Sequence, residues 1–281
     1  MKILISADME GTCGVSSWVH VTPPELAGSG PASTAEYERA RLRMTHEVNA
    51  AIEGALAGGA TEVIVNDAHD GMRNLIPEEL HPEAQFVAGS DKPLVMVQGV
   101  EDGVDAVFFT GYHARAGTPD GPLAHTWSLW LQDVRVNGVS TGEYGINAIT
   151  AGHFGVPVAL VTGDNRAVEQ TRELLGQQVE GAIVKHGYSV TSAVHLQPEE
   201  ARRVIREAAE RAVRNIDAMR PYVLPEGAIV ELDFDHQIRA SHAAEIPGVE
   251  LVGWRTVRFM PKDGLDFHRW FRSACRAAGV M

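Results

Sequence analysis

Four short apolar segments, each ending in polar residues, recur along the first part of the chain. They are KILISA (2–7), TEVIVND (61–67), AVFFTGYH (106–113) and PVALVTGD (157–164). Near-continuous apolar runs of this length are typical of strands that are buried on both faces of a parallel sheet. Helical or loop segments separate them, so the sequence predicts an α/β layer fold with a mostly parallel sheet.

The longest of the connecting segments is predicted to be a helix over 35–57. Its start is marked by Ser33 and Glu36, which have the spacing of a capping box. Apolar residues recur along it at helical period, and the Gly58-Gly59 pair ends it. The other predictions in this region are helices over 143–154 and 165–175, and a Pro-, Gly- and Ser-rich loop over 16–33.

Acidic and imidazole side chains follow three of the predicted strands. Asp8 and Glu10 come directly after the first strand, His69 after the second and His113 at the end of the third. Residues two apart in a strand face the same side, and two carboxylates that close favour a cation between them. The carboxyl ends of parallel strands line the ligand crevice of such sheets. Because carboxylate and imidazole are ligands of zinc and similar metals, we predict a metal site at this edge.

Two more residues are candidates for the same edge. His125 lies in PLAHTWS, and Glu143 begins a predicted helix directly after Gly142. A single histidine at a sheet edge is more often simply hydrogen-bonded, and a glutamate at a helix N-terminus is favoured by the helix dipole alone. The alternative for Glu143 is a fifth metal ligand. The nine other histidines are expected in loops or on polar helix faces.

The last third of the chain has a different pattern. It is predicted to contain a charged amphipathic helix over 198–220, strands within 228–234 and 250–259, and a final helix over 263–278. We therefore expect a metal-binding catalytic α/β domain over 1–190 and a smaller C-terminal α+β subdomain over 191–281.

Charge and cysteine content restrict the class of protein. The formal net charge is −13, which argues against binding to nucleic acids or to anionic membranes. The two cysteines, Cys13 and Cys275, are expected to be free thiols in a reducing compartment. The N-terminal apolar run is too short for a signal peptide, and no apolar run is long enough to span a membrane. We expect a cytoplasmic protein.

Four stretches carry a resemblance to a known family: SADMEG from 6, VIVNDAHDGMRNL from 63, FTGYHARAGTP from 109 and GEYGINA from 142. In these motifs the chain resembles the zinc-dependent D-aminopeptidases of the DppA type, peptidase family M55. The resemblance implies a three-layer α/β/α fold and a ring-shaped homodecamer. It also implies a zinc-activated water that hydrolyses the N-terminal peptide bond of short D-amino-acid peptides such as D-Ala-D-Ala.

The same resemblance assigns roles to residues of this chain. It implies two zinc ions per subunit, held by Asp8, Glu10, His69, His113 and Glu143, with Asp8 bridging the two. It implies that His125 is the catalytic histidine. Asn66 and Asp67 are predicted to orient the ligand histidines. Lys92 and Arg115 are predicted either to contact the substrate carboxylate or to form structural ion pairs. Trp127 and Trp130 are predicted to line the substrate pocket.

Other functions are open on the sequence alone. The same metal site would serve a hydrolase of L-peptides or of other amides. A non-enzymatic dipeptide-binding protein linked to transport is a second alternative, although five candidate ligands and the expected cytoplasmic location argue against it. A cluster of polar side chains at the sheet edge without any metal is a third.

Overall fold

The computed structural model describes residues 1–27 and 32–280 of the chain. Its strands are β1 (Lys2–Ala7), β2 (Glu62–Asp67), β3 (Ala84–Val87), β4 (Ala106–Tyr112), β5 (Leu131–Val136), β6 (Val139–Thr141), β7 (Val158–Asp164), β8 (Glu180–Ser189), β9 (Ser192–His195), β10 (Val230–Phe234), β11 (Glu250–Leu251) and β12 (Thr256–Phe259). Its α-helices are α1 (Trp18–Val21), α2 (Thr34–Gly58), α3 (Glu143–His153), α4 (Asn165–Leu175), α5 (Pro198–Arg214), α6 (Gln237–Ala243) and α7 (Gly264–Ala277).

The main sheet has seven strands in the order β3-β2-β1-β4-β7-β8-β9. All neighbouring pairs are parallel except β8 and β9, which are antiparallel. This confirms the predicted α/β fold with a mostly parallel sheet. The last residue of β1, Ala7, lies opposite Asp67 of β2 and Thr110 of β4. The three strands therefore end at the same edge, as the site prediction requires.

Helices cover both faces of the main sheet and give the predicted three layers. One face packs against α2 and α5, in a core that includes Ile3 and Ile5 of β1. The other face, with Leu4 of the same strand, packs against α3, α4 and the segment 94–104. Alternate residues of β1 thus enter two different cores, because successive strand side chains point to opposite faces.

A second sheet of five antiparallel strands has the order β11-β12-β10-β5-β6. One of its faces packs on α3, α6 and α7. Helix α3 therefore lies between the two sheets: Tyr144 and Ala148 belong to the core of the main sheet, and Ile146 and Ile149 to that of the second. Residues 143–152 of α3 are all buried, which fixes the helix on every side.

The two sheets do not follow the predicted division at residue 190. Strands β5 and β6 precede that position, yet β5 pairs with β10, and β6 pairs with β5 to complete the second sheet. Helix α5 follows it, yet α5 packs with α2 on the main sheet. The chain leaves the main sheet after β4, builds part of the second sheet and then returns through α3 to β7.

Several predicted elements have different limits in the structure. Helix α5 ends at Arg214 rather than 220, and a short 3₁₀ turn follows it. The strand predicted over 250–259 is two short strands, β11 and β12, that pair with each other. The predicted loop over 16–33 contains the short helix α1, while its residues 28–31 lie outside the described part of the chain. One half of the predicted capping box is present at the start of α2, where the Ser33 side chain accepts from the Glu36 N–H. The Glu36 carboxylate lies 3.0 Å from His20 Nε2 instead.

Two expectations concern the chain as a whole. Cys13 and Cys275 are free, as predicted, and both are buried. Among the helices of residues 1–27 and 32–280, none is both long and apolar enough to cross a lipid bilayer.

The contact between α2 and α5 gives a test of this layering. A Cβ added at Gly54 of α2 would lie 2.2 Å from the Arg206 carbonyl oxygen of α5 and 2.7 Å from the Ala209 Cβ. Alanine is favoured over glycine within a helix by about 1 kcal/mol. Overpacking typically costs about 1–3 kcal/mol, so we expect Gly54→Ala to lower the free energy of unfolding despite its better helix propensity.

Denaturant unfolding of Gly54→Ala and of Ala57→Gly measures the effect. Ala57 is exposed on the same helix, so its change reports helix propensity without the packing contact. If Gly54→Ala stabilised the protein by as much as Ala57→Gly destabilised it, the close approach of α2 and α5 would be contradicted.

Candidate metal centre

Asp8 and Glu10 lie just beyond β1, where the chain turns across the end of β4. The Asp8 N–H donates to the Thr110 carbonyl at 2.8 Å, and the Gly11 N–H donates to the Gly111 carbonyl at 2.7 Å. A Cβ on Gly11 would lie 1.9 Å from the Tyr112 carbonyl oxygen, so only glycine permits this approach of the two chains. The close contact explains why glycine follows the two acids.

The first cluster contains Asp8, Glu10 and His69. The His69 Nδ1 atom lies 3.3 Å from Asp8 Oδ1 and 3.0 Å from Glu10 Oε2. On the other side of the ring, Nε2 is 2.7 Å from the Val21 carbonyl oxygen, which can only accept. This hydrogen bond assigns the proton to Nε2 in the neutral ring and leaves the Nδ1 lone pair facing the two carboxylates.

The second cluster is built on the other oxygen of Asp8. The His113 Nε2 atom lies 3.6 Å from Asp8 Oδ2 and 3.5 Å from Glu143 Oε1. Its Nδ1 donates to the Ala114 carbonyl at 3.0 Å, so Nε2 is free to act as a ligand. The two oxygens of Asp8 therefore face two different histidines, each of which has a second carboxylate beside it. This is the arrangement expected of a carboxylate that bridges two cations.

His125 stands over both clusters. Its ring stacks on that of His113 with 4.1 Å between centroids and 7° between planes. The Nδ1 atom donates to the Leu123 carbonyl at 2.9 Å, and Nε2 lies 3.8 Å from Glu143 Oε1 and 4.0 Å from Glu10 Oε1. Ligand atoms of His113, His125 and Glu143 all lie within 4.8 Å of one another. By distance alone, His125 is close enough to be a ligand as well as a reacting group.

The short helix α1 contacts this centre at two points. Its last residue, Val21, supplies the carbonyl that accepts from His69. Its first residue, Trp18, packs edge-on against the His125 ring with 5.6 Å between centroids. The helix thus contacts one histidine of the first cluster and the histidine that stands over both clusters.

The turn that carries His125 contains two residues with strained backbone angles and is held in place by hydrogen bonds. Leu123 and Trp127 have positive φ angles of 55° and 67°. The Trp127 N–H donates to Glu143 Oε1 at 2.6 Å, and the Thr126 hydroxyl accepts from the Ala116 N–H at 3.1 Å. Non-glycine residues in this conformation persist only where surrounding contacts hold them, as these do.

The electrostatics of the centre are those of a site for cations. All five predicted ligands are at most 6% exposed. Burial, together with the charges of Glu10 and Glu143, raises the pKa of Asp8 to about 7. Burial opposes the charged form of His113, but Glu143 and Asp8 outweigh it and raise its pKa to about 10. Burial likewise opposes ionisation of Glu10, yet His69 holds its pKa well below the usual range.

Two buried oxygens of the cluster fit a metal directly. With the His69 ring neutral and its proton on Nε2, Asp8 Oδ2 and Glu10 Oε2 have no hydrogen-bond donor within the described part of the chain. An unsatisfied buried carboxylate oxygen is costly, and a coordinated cation removes that cost. The donor set of carboxylate oxygens and imidazole nitrogens matches zinc. The residues present therefore fit the predicted metal.

The neighbouring polar residues take other roles than predicted. Asn66 donates to the Val95 and Met96 carbonyls, and the Asp67 carboxylate accepts from the Asn74 and Leu75 N–H groups. Their hydrogen bonds thus brace loops around the sheet edge. The rings of His69 and His113 are oriented by backbone carbonyls instead, which no side-chain pattern in a sequence reveals.

The two predicted cations and two tryptophans also have structural contacts. Lys92 is 7% exposed and donates to Asn66 Oδ1 and to the Asp67 carbonyl, each at 2.6 Å. Arg115 is half-buried and donates to the Ala116 carbonyl at 3.2 Å. The contacts of the indoles are Phe271 for Trp127 and the Arg239 guanidinium for Trp130. Their contact with a substrate stays a prediction.

Two histidines outside the centre differ from expectation. His268 was expected in a loop or on a polar helix face, yet it is 2% exposed on α7, where Nε2 bonds to the Pro93 carbonyl at 3.1 Å. His195 accepts from the Gly14 N–H at 3.0 Å and so supports the loop after Glu10. Both contacts join segments far apart in the chain, so spacing along the sequence gave no signal for them.

Comparison with known proteins agrees with this geometry. The model of peptidase family M55, described as D-aminopeptidase, matches residues 1–273. A D-aminopeptidase of Bacillus subtilis (strain 168) is 38% identical over 270 residues, which cover 96% of this chain and 94% of that protein. A solved structure, the Zn-dependent D-aminopeptidase DppA from Bacillus subtilis, described as a self-compartmentalizing protease, has a TM-score of 0.91 at 36% identity. The match covers 99% of this chain and 98% of that one.

The resemblance read from the four sequence motifs is thereby confirmed. It extends over nearly the whole chain rather than over the motifs alone. The chain belongs to peptidase family M55, the D-aminopeptidase family.

Proposed function

We propose that this protein is a zinc-dependent D-aminopeptidase that removes the N-terminal residue of short D-amino-acid peptides such as D-Ala-D-Ala. The observation that carries the proposal is the position of Asp8, whose two oxygens face His69 and His113 separately. The curated Bacillus subtilis sequence and the solved Bacillus subtilis structure, each more than a third identical to this chain, are described as D-aminopeptidase, and the structure as Zn-dependent.

The two clusters divide the proposed ligands between two ions. Asp8, Glu10 and His69 would hold one zinc, and Asp8, His113 and Glu143 the other. When bound, zinc makes water acidic enough to attack at neutral pH and polarises a peptide carbonyl. The three buried carboxylates would offset most of the positive charge of two zinc ions.

His125 is proposed to transfer a proton in the reaction. Burial, and then the charge of His113, lowers the pKa of His125, so its ring is neutral at pH 7. Because Nδ1–H is bonded to the Leu123 carbonyl, Nε2 presents a lone pair to the centre. A lone pair accepts a proton but cannot donate to an oxyanion. The geometry thus favours a base that takes a proton from water and passes it to the leaving amine.

Hydrolysis of matched dipeptides tests the activity. We expect zinc-loaded protein to cleave D-Ala-D-Ala and to leave L-Ala-L-Ala intact, and chelator-stripped protein to cleave neither. Release of free alanine is measured with zinc restored as a control.

The alternative outcomes are distinct. Cleavage of the L-peptide alone would contradict the proposed stereospecificity and leave a metallopeptidase. Cleavage of the D-peptide by fully stripped protein would contradict the role of the metal.

Substitution of His125 distinguishes a role in proton transfer from a role as a metal ligand. Removal of a proton-transfer residue typically costs about 10²–10⁴-fold in rate, so His125→Ala should lose at least 100-fold in kcat. Zinc content, measured by atomic emission after dialysis, should remain at the wild-type value. Loss of one zinc per chain would show instead that His125 is a ligand, and unchanged kcat would remove it from the mechanism.

We also propose that the protein assembles into a homodecameric ring, as its resemblance to the family implies. An apolar projection supports self-association: Trp254 is 83% exposed at the β11–β12 turn, beside Leu251 and Val252, and Met260 is 61% exposed. Exposed apolar patches of this kind mark interaction sites. Light scattering should show a decamer for the wild type and a smaller species for Trp254→Glu. A monomeric wild type would contradict the assembly.

A further inference from the structure

A buried lysine lies beneath the loop that carries Glu10. Lys185 belongs to β8 and is 1% exposed, so its ammonium group is inside the protein. All three of its hydrogen bonds go to backbone carbonyl oxygens of one loop, those of Glu10, Thr12 and Val15, the last two at 3.3 and 2.6 Å. A charged side chain of β8, which β4 and β7 separate from β1 in the sheet, therefore binds the turn that follows β1.

An ammonium group at this depth is unfavourable unless its surroundings compensate it. Burial lowers the pKa of Lys185 to about 8, while the nearby acids Asp164, Glu47 and Glu10 favour its charged form. Charged side chains are rarely buried this completely without a specific partner. Here the partners are three carbonyl dipoles that converge on Nζ, which is how backbone coordinates a small cation.

The loop over residues 10–15 is held from other sides as well. The Cys13 N–H donates to Glu47 Oε1 at 2.8 Å, and the Arg43 Nη1 donates to the Gly14 carbonyl at 3.0 Å. These contacts fix the far end of the loop. Lys185 reaches the backbone of Glu10 itself, next to the Cα that carries the carboxylate.

We propose that Lys185 is a positioning residue for metal binding, a fixed internal cation that holds the loop so that the Glu10 carboxylate faces His69. The inference rests on the proposed role of Glu10 as a ligand. The Glu10 carboxylate lies beside two imidazoles, with Oε2 3.0 Å from His69 Nδ1 and Oε1 4.0 Å from His125 Nε2, so its place between them depends on where the loop backbone holds its Cα. Removal of the ammonium frees three carbonyls to turn away from the core.

Zinc retention by Lys185→Met tests the proposal. Methionine keeps most of the length and apolar volume of the lysine but cannot donate to the carbonyls. Loss of a group that orients a metal ligand typically weakens metal affinity about 10–100-fold. Under increasing concentrations of a competing chelator, we expect Lys185→Met to fall to one zinc per chain at a concentration where the wild type retains two.

Two further variants serve as controls. Glu10→Gln removes the ligand itself and should lose the same zinc. Val213→Ala removes methyl groups from the packing of α5 against Gly58 of α2, at the edge of the sheet where β2 begins, and should lower the unfolding midpoint while both ions are retained. If Lys185→Met does not fold, Lys185→Gln, which keeps an N–H donor without charge, is measured against the same criteria.

The outcomes distinguish this inference from the proposed function. Wild-type zinc affinity in Lys185→Met, with zinc lost from Glu10→Gln, would overturn the role of Lys185 and leave the ligand set intact. Equal zinc loss from Val213→Ala would also overturn it, because general destabilisation would then explain the effect. Full zinc retention by Glu10→Gln would contradict the ligand set on which the inference rests.

Discussion

The centre depends on the burial of like charges at one edge of a sheet. Asp8, Glu10 and Glu143 are each at most 6% exposed, and the first of them lies among the charges of the other two. Carboxylates in this position are stable only when positive charge stands between them. Without metal, the protonated rings of His69 and His113 supply that charge. With both rings neutral and acting as ligands, the proposed zinc ions would supply it instead. Most of the surrounding contacts hold these carboxylates in place against their mutual repulsion.

The scaffold meets this requirement by fixing backbone rather than side chains. Helix α3 is enclosed between two sheets, and Glu143 stands at its first turn. Carbonyl groups of Val21 and Ala114 set which nitrogen of each candidate ligand, His69 and His113, faces the centre. The second sheet therefore supports the candidate metal centre, because it immobilises the helix from which the proposed ligand Glu143 projects.

Much of the candidate site could be predicted because parallel strands end together. Asp8, His69 and His113 are far apart in sequence, yet each follows a strand, and register alone brings them to one edge. Backbone partners and Lys185 could not be predicted, since they depend on which loop passes beneath which strand. The β5–β6 hairpin did have a signal: Asn137-Gly138 between two alternating segments is typical of a two-residue turn. The sequence carried no signal for the partner of α5, because an amphipathic pattern shows that a helix packs against something but does not identify the surface.

The bridging position of Asp8 is the central claim, and anomalous diffraction at the zinc absorption edge tests it most directly. Crystals of zinc-loaded protein should show two zinc peaks per chain. One should contact Asp8, Glu10 and His69, and the other Asp8, His113 and Glu143. A single peak, or a second ion held by His125 without Asp8, would contradict the account.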